Sequence, residues 1–365
     1  MRLGIDYGTT RTVIAAVREG RYPVASFRTD SGFVEYLPGL ASVTQNGLRY
    51  GTDAESEWSI GQTKRDAAEL QPLVRSVKEA VTGAAPDETV SEMESAGISA
   101  LGLVTDYLRY VRTMLVERSN LDIAPDEPLE AMVAVPAHAS TRQRYLTLEA
   151  FSQAGFSVLG LVNEPTAGAI EYARHTLAAL SARSPKRYIV VYDLGGGTFD
   201  TAAVPLVDRR FDLIGADAEA DIFVREAPTR HFGVRRESEA GWEKVFDPII
   251  EKRTGVRVDG PPRVERSYYP AHPVGLLRFV KCTNLDARRQ PTGEVTPWDS
   301  VLFPYDPGLT DCQDLSPQPA QRAEGELGQE IVEPYEYSPT GMIRVKIENR
   351  TSGYEREYVL GRGAV

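Results

Sequence analysis

Hydrophobic and polar positions follow two different rhythms along this chain. Through the first half, short β-branched runs alternate with long amphipathic stretches. Arg2–Asp6 and Arg11–Val17 are apolar-rich runs around Tyr7-Gly8-Thr9-Thr10, a pattern that predicts a hairpin with glycine in its turn. Ile98–Val116 places Leu101, Val104, Leu108, Val111 and Leu115 at helical spacing. Glu130–Val135 predicts a buried strand ended by Pro136. Ser140-Thr141 predicts the cap of a helix running to about Ala154, and Phe156–Val162 a returning strand. Pro165 sits where a first-turn proline is tolerated and opens a helix to about Ala182. Arg187–Asp193 and Phe199–Val204 predict an antiparallel pair turned by Gly195-Gly196-Gly197.

From about Ile222 the texture changes. Helical periodicity is confined to a short stretch near Gln321–Glu330. Pro and Gly divide the rest into short runs: Arg263–Tyr268, Gly275–Cys282, Ser300–Phe303, Ile331–Tyr337, Met342–Glu348 and Tyr354–Leu360. That pattern predicts an antiparallel sandwich, with Asp306–Gly328 mostly a long loop. No internal repeat is present.

Composition narrows the classes. A length of 365 residues makes two domains the natural expectation, and 42% hydrophobic with 25% charged residues reads as a globular protein. A net charge of -11 argues against a nucleic acid held by phosphate contacts and against an anionic membrane surface. MRLGIDYG has no basic or apolar leader character, and no stretch has the apolar length of a membrane span, so the cytoplasm is the expected compartment. Cys282 and Cys312 are too few for a metal cage; one disulfide or two unrelated thiols both fit the count. His138, His175, His231 and His272 show no repeated metal spacing.

Two turns share one design. Asp6-Tyr7-Gly8-Thr9-Thr10 and Asp193-Leu194-Gly195-Gly196-Gly197-Thr198 each place a carboxylate at a strand end before a glycine-containing hairpin. Glycine allows positive φ and lets backbone N–H groups approach an anion, threonine hydroxyls add donors, and the carboxylate can hold hydrated Mg²⁺ beside phosphates. Either turn alone is more often a plain hairpin. The pair suggests two hairpins clamping a nucleotide's phosphates.

Four ordered segments carry a family resemblance. Gly4-Ile5-Asp6-Tyr7-Gly8-Thr9-Thr10, Ala134-Val135-Pro136-Ala137 with Thr141-Arg142-Gln143-Arg144, Val162-Asn163-Glu164-Pro165-Thr166-Ala167-Gly168-Ala169, and Asp193–Asp200 resemble, in that order, the ATPase of the heat-shock protein 70 (DnaK-type) chaperone family. The resemblance implies an actin-like, ribonuclease-H-like α/β lobe that binds ATP or ADP with Mg²⁺. Asp6 and Asp193 would bind Mg²⁺ through water. Gly8, Thr9, Thr10, Gly195, Gly196, Gly197 and Thr198 would touch phosphates. Lys78, Glu164, Asp193 and Thr198 would serve catalysis, Lys78 by neutralising γ-phosphate charge. Pro136 resembles the residue that couples nucleotide state to the partner domain; a strand-ending proline is the plain alternative.

The resemblance also has a break. The family continues past its second phosphate turn with a further lobe and an adenosine-binding Gly-Gly-Ser-x-Arg motif. Here Phe211–Gly215 leads instead into an acidic-then-apolar run ending at Ile222-Phe223-Val224 that resembles an interdomain linker. Glu226–Val234 looks like the start of the peptide-binding β domain. Asp247–Thr254 resembles its second strand, Val264–Thr283 its next strand pair and Glu333–Leu360 its closing hairpin; neither a helical lid nor an acidic tail follows. The implied organisation is an incomplete actin-like lobe over 1–216, a linker over 217–228 and a mostly β sandwich over 229–365. The implied function is that of a stress-response chaperone assisting protein folding, with unfolded or extended peptides and a J-domain co-chaperone as partners. The peptide pocket would lie among loops between Val264 and Phe303, where Leu276, Leu277, Phe279 and Val280 read equally well as core. The alternative is a non-enzymatic binding module on a degenerate ATPase scaffold, its apolar surface over Arg187–Leu206 left uncovered. A sugar kinase or filament protein of the same superfamily is disfavoured by the chaperone-like NEPTAGA and DLGGGTFD segments.

Overall fold

A computed structural model describes residues 1–30, 32–44, 47–63, 73–176, 188–194, 199–205, 228, 230–238, 243–252, 263–312, 314–316, 327–338 and 342–361. The chain divides into two compact units, Met1–Val224 and Arg225–Val365.

In the first unit the elements are β1 (Arg2–Tyr7), β2 (Arg11–Ala16), β3 (Phe27–Thr29), β4 (Gly32–Val34), β5 (Leu37–Pro38), β6 (Ala41–Thr44), β7 (Gly47–Tyr50), α1 (Gly51–Thr63), β8 (Leu73–Val74) and α2 (Val77–Ala80). A 3-10 helix at Ser91–Ala96 precedes α3 (Ala100–Arg118), β9 (Leu129–Val135), α4 (Thr141–Gln153), β10 (Phe156–Asn163), α5 (Glu164–Thr176), β11 (Tyr188–Leu194) and β12 (Phe199–Pro205). The main sheet has the order β10-β9-β1-β2-β5. β1 pairs antiparallel with β2 and parallel with β9, and β9 pairs parallel with β10.

Side-chain periods explain the layers. Leu3, Ile5 and Tyr7 alternate inward along β1, while Leu103, Val104, Leu108, Val111 and Leu115 form the buried stripe of α3 against the same core. Ser140 caps α4 in a reciprocal box: its side chain accepts from Gln143 N at 3.2 Å, and Gln143 Oε1 accepts from Ser140 N at 2.8 Å. Helix α5 begins at Glu164 and runs to Thr176 with Pro165 in its first turn; the expected continuation toward Ala182 lies outside the described residues.

The second unit contains β13 (His231–Ser238), β14 (Glu243–Ile250), β15 (Arg263–Tyr268), β16 (Val274–Leu285), β17 (Pro291–Pro304), β18 (Ile331–Tyr337), β19 (Ile343–Asn349) and β20 (Tyr354–Leu360). Two four-stranded antiparallel sheets, β14-β13-β16-β17 and β15-β18-β19-β20, share one core in which Val234, Leu277, Phe279 and Phe303 meet Tyr335, Ile343, Val345 and Ile347. The expected pairing of consecutive strands across Val264–Thr283 is corrected: β15 pairs with β18, and β16 with β13 and β17. Pattern alone does not say which sheet a strand joins. The predicted run Ser300–Phe303 is the buried end of the longer β17, and the closing hairpin is a three-strand meander, β18-β19-β20. Leu277, Phe279 and Val280 are core residues.

A polar network crosses this core. Arg236 on β13 donates from Nε to Asp247 Oδ2 at 2.8 Å and from Nη2 to Glu333 Oε2 at 2.5 Å. Glu333, fully buried, also accepts from the Tyr335 hydroxyl at 2.7 Å and from the Tyr268 hydroxyl. Arg266 grips both oxygens of Asp247, each at 2.9 Å. Both thiols are free, Cys282 buried and Cys312 exposed. Among the described residues no helix is long and apolar enough to cross a membrane.

Candidate nucleotide-phosphate site

Strand direction gathers the first residues of the site. β1, β9 and β10 run parallel with Asp6 opposite Ala134 and Val135 opposite Asn163, so Asp6, Pro136 and Glu164 emerge at neighbouring carboxyl ends. Sites in open parallel sheets form at such ends.

The turn after β1 closes through Gly8 N donating to Arg11 O at 3.0 Å. A Cβ on Gly8 would sit 2.7 Å from that carbonyl oxygen, so close approach is what requires glycine here. Gly8 is not among the positive-φ glycines, so the φ freedom expected for it is not the reason. Two groups brace the turn from behind. Gly39 N donates to Thr10 O at 2.9 Å, and the Ser76 hydroxyl donates to Thr9 O at 2.6 Å. Ser76 also accepts from Glu79 N at 3.1 Å, capping the helical turn that carries Lys78. One serine thereby ties the lysine to the glycine turn.

Lys78 Nζ donates to Glu164 Oε1 at 2.8 Å, with the two side chains 17% and 16% exposed. Desolvation raises the Glu164 carboxyl above its ordinary value; Lys78 opposes the rise, and Asp6 and Asp193 add to it. Asp6 keeps access to solvent, yet crowding by protein atoms still raises its carboxyl, with Lys78 opposing and Asp193 adding. Asp6, Glu164 and Asp193 thus lie within one another's field, with the Lys78 ammonium opposing them. The surplus of negative charge suits a cation. Among the described residues no three acidic, histidine or cysteine side chains converge closely enough to ligate an ion directly. Arg144 Nη2 donates to Asn163 Oδ1 at 2.6 Å and fixes the residue just before Glu164.

The structure thus brings together Asp6, Gly8, Thr9, Thr10, Lys78 and Glu164. Asp193 stands half-buried near the end of β11, a strand paired with β12 and packed on α5. Gly195, Gly196, Gly197 and Thr198 lie outside the described residues. Ser76 and Gly39 escaped sequence reasoning. Ser76 had a signal, a serine three residues before Glu79 at capping-box spacing; the contact of Gly39 with Thr10 is tertiary and left none.

Helices over a mixed sheet, with charge gathered at parallel strand ends, define the class as an α/β lobe. Residues 113–221 match the family model described as Hsp70 protein. Among curated relatives, the chaperone protein HscA homolog of Burkholderia multivorans is 32% identical over 225 residues, covering 60% of this chain and 34% of the relative. Those of Bordetella pertussis and Pseudoalteromonas atlantica are each 31% identical, again over 60% of this chain, and over 34% and 35% of their own lengths. By these matches the chain is similar to the heat-shock protein 70 family over part of its length. The chain spans about a third of the length of the curated relatives it matches.

Proposed function

We propose that this chain is a chaperone-type module that holds MgATP or MgADP at the Asp6–Lys78–Glu164–Asp193 cluster and an extended peptide segment on its β unit. The carrying observation is the Lys78–Glu164 pair at 2.8 Å in a field of additional carboxylates, beside the braced Gly8 turn. The Gly8 turn and the threonine hydroxyls receive the phosphates. Lys78 turns from Glu164 toward the γ-phosphate, and Glu164, released from its partner, accepts a hydrogen bond from the attacking water. Bound magnesium would supply positive charge against the β- and γ-phosphate oxygens. A J-domain co-chaperone is the partner this reading implies.

In this reading the ATPase part ends near residue 216, a linker covers 217–228, and the peptide-binding part begins at 229. The segment Gly215–Ile222 is too short for an adenosine-binding lobe. Affinity would then rest mainly on the phosphates, and turnover would lose the contribution of remote substrate contacts. A second reading, a binding module on a non-catalytic scaffold, is favoured by the outward face of β11, where Val190 is 53% and Tyr192 71% exposed.

Calorimetric titration of the protein with MgATP and MgADP, alongside Asp193→Ala, separates the two. Micromolar binding abolished by the substitution supports the first reading. A cooperatively folded protein with no detectable binding leaves the scaffold.

A further inference from the structure

Tyr7 ends β1 directly before Gly8 and is 2% exposed. Its ring packs against Tyr107 at 6.0 Å and Phe151 at 6.3 Å, and the Lys78 ammonium lies over the ring, 5.7 Å from its centroid. The hydroxyl is buried with no protein hydrogen-bond partner. Burial, then Tyr107, pushes this phenol well above its ordinary pKa, so it remains a neutral donor and acceptor. Phenylalanine would fill the same ring slot without creating a polar group to satisfy, so the hydroxyl requires an explanation.

Tyr7 lines a cavity of about 30 Å³ together with Lys78, Thr82, Pro136, Gln143 and Thr147. A water needs roughly 10–15 Å³ and two to four polar partners. The cavity is large enough on that measure, and Tyr7, Lys78, Gln143, Thr82 and Thr147 are the polar residues along its lining. Of the three N–H donors of Lys78, one goes to Glu164. Val81, Val135 and Leu146 supply apolar walls beside these groups.

We propose that this cavity is a buried hydration site joining the Tyr7 hydroxyl to the Lys78 ammonium, which makes Tyr7 a positioning residue for that lysine. Ring and water together hold the ammonium at the mouth of the glycine turn. Glu164 then need not be its sole anchor when Lys78 turns toward an incoming phosphate. The effect on nucleotide rests on the proposed phosphate site; the hydration itself does not.

A thermal-unfolding cycle of the full chain with Tyr7→Phe, Lys78→Met and the double variant tests the geometry without nucleotide. Tyr7→Phe keeps the ring and removes only the hydroxyl. The expected result is a melting temperature a few degrees lower for Tyr7→Phe, most of which disappears in the Lys78→Met background because both side chains hold the same water. A melting temperature unchanged or raised by Tyr7→Phe means a dry cavity and overturns the proposal, as does strict additivity in the cycle. MgATP titration well below both melting points gives the second readout. Several-fold weaker binding by Tyr7→Phe than by wild type is expected, and equal binding overturns the positioning role. Wild type without MgATP binding sinks the phosphate-site reading alone and leaves the hydration site to the unfolding cycle.

Discussion

The cluster around Lys78 in the first unit and the network around Arg236 in the second bury similar side chains and balance them in opposite ways. In the second, two guanidiniums face two carboxylates, and Glu333, fully buried, takes Arg236 and two tyrosine hydroxyls. Burial, the largest influence on Asp247, would raise it, but hydrogen bonds from Arg266 and Arg236 outweigh burial and hold its carboxyl below the ordinary range. In the first unit one ammonium faces Asp6, Glu164 and Asp193, and Asp6 and Glu164 are both raised. A satisfied network stabilises and orders its fold. A cluster left with surplus charge is poised for a ligand that completes it. Direction of pKa shift, more than burial, separates the two.

The comparison breaks most visibly at its charged centres. Arg236→Met leaves Glu333 buried without its charge partner and is expected to cost about 3–5 kcal/mol in denaturant unfolding. Arg236→Met combined with Glu333→Leu should recover much of that loss. Gly8→Ala forces a Cβ toward the Arg11 carbonyl and should cost about 1–3 kcal/mol, with MgATP binding lost by titration. Lys78→Met should weaken MgATP about tenfold or more, roughly 1.4 kcal/mol, beyond the few degrees of melting temperature lost with the water it shares with Tyr7. A comparable shift in stability and none in affinity would place Lys78 with the structural ion pairs. Ser140→Ala removes the cap of α4 and should cost about 1 kcal/mol, with the nucleotide site untouched.

The smallest effect sharpens the contrast by sign. Raised carboxyls bind a proton more tightly folded than unfolded. Asp6 and Glu164 therefore favour folding below the ordinary carboxylate range near 4, and that contribution is lost as pH rises through their raised values. Asp247 is depressed, so its contribution is present above the ordinary value and is lost as pH falls through the depressed one. Melting curves taken from neutral pH downward should show the first unit gaining and the second losing only under strong acid. The same sign in both units would remove the distinction.

Legibility in the sequence followed the range of the interactions. Period-two alternation along β1, the heptad-like stripe of α3 and the Ser140–Gln143 box are local, and each element lies where the pattern puts it. The candidate site was legible from residue chemistry at Asp6 and Gly8, and through the family resemblance at Lys78 and Glu164. Partners joined across the fold were not, because Ser76 reaching Thr9 and Gly39 reaching Thr10 are decided by packing. The β unit shows the same limit: its runs were visible, but Arg263–Tyr268 chose β18 over its neighbour in sequence. Nothing in the local pattern marks Arg236, Asp247, Arg266 and Glu333 as partners; two sheets bring them together.

By itself the sequence determined the order of elements, the family resemblance and the identity of the charged groups at the strand ends, since backbone periodicity and motif chemistry are properties of neighbouring residues. Tertiary structure alone decided which charges are balanced and which are left in surplus. Desolvation and Coulomb energies depend on distances across the fold, and those exist only once the sheets and helices have packed.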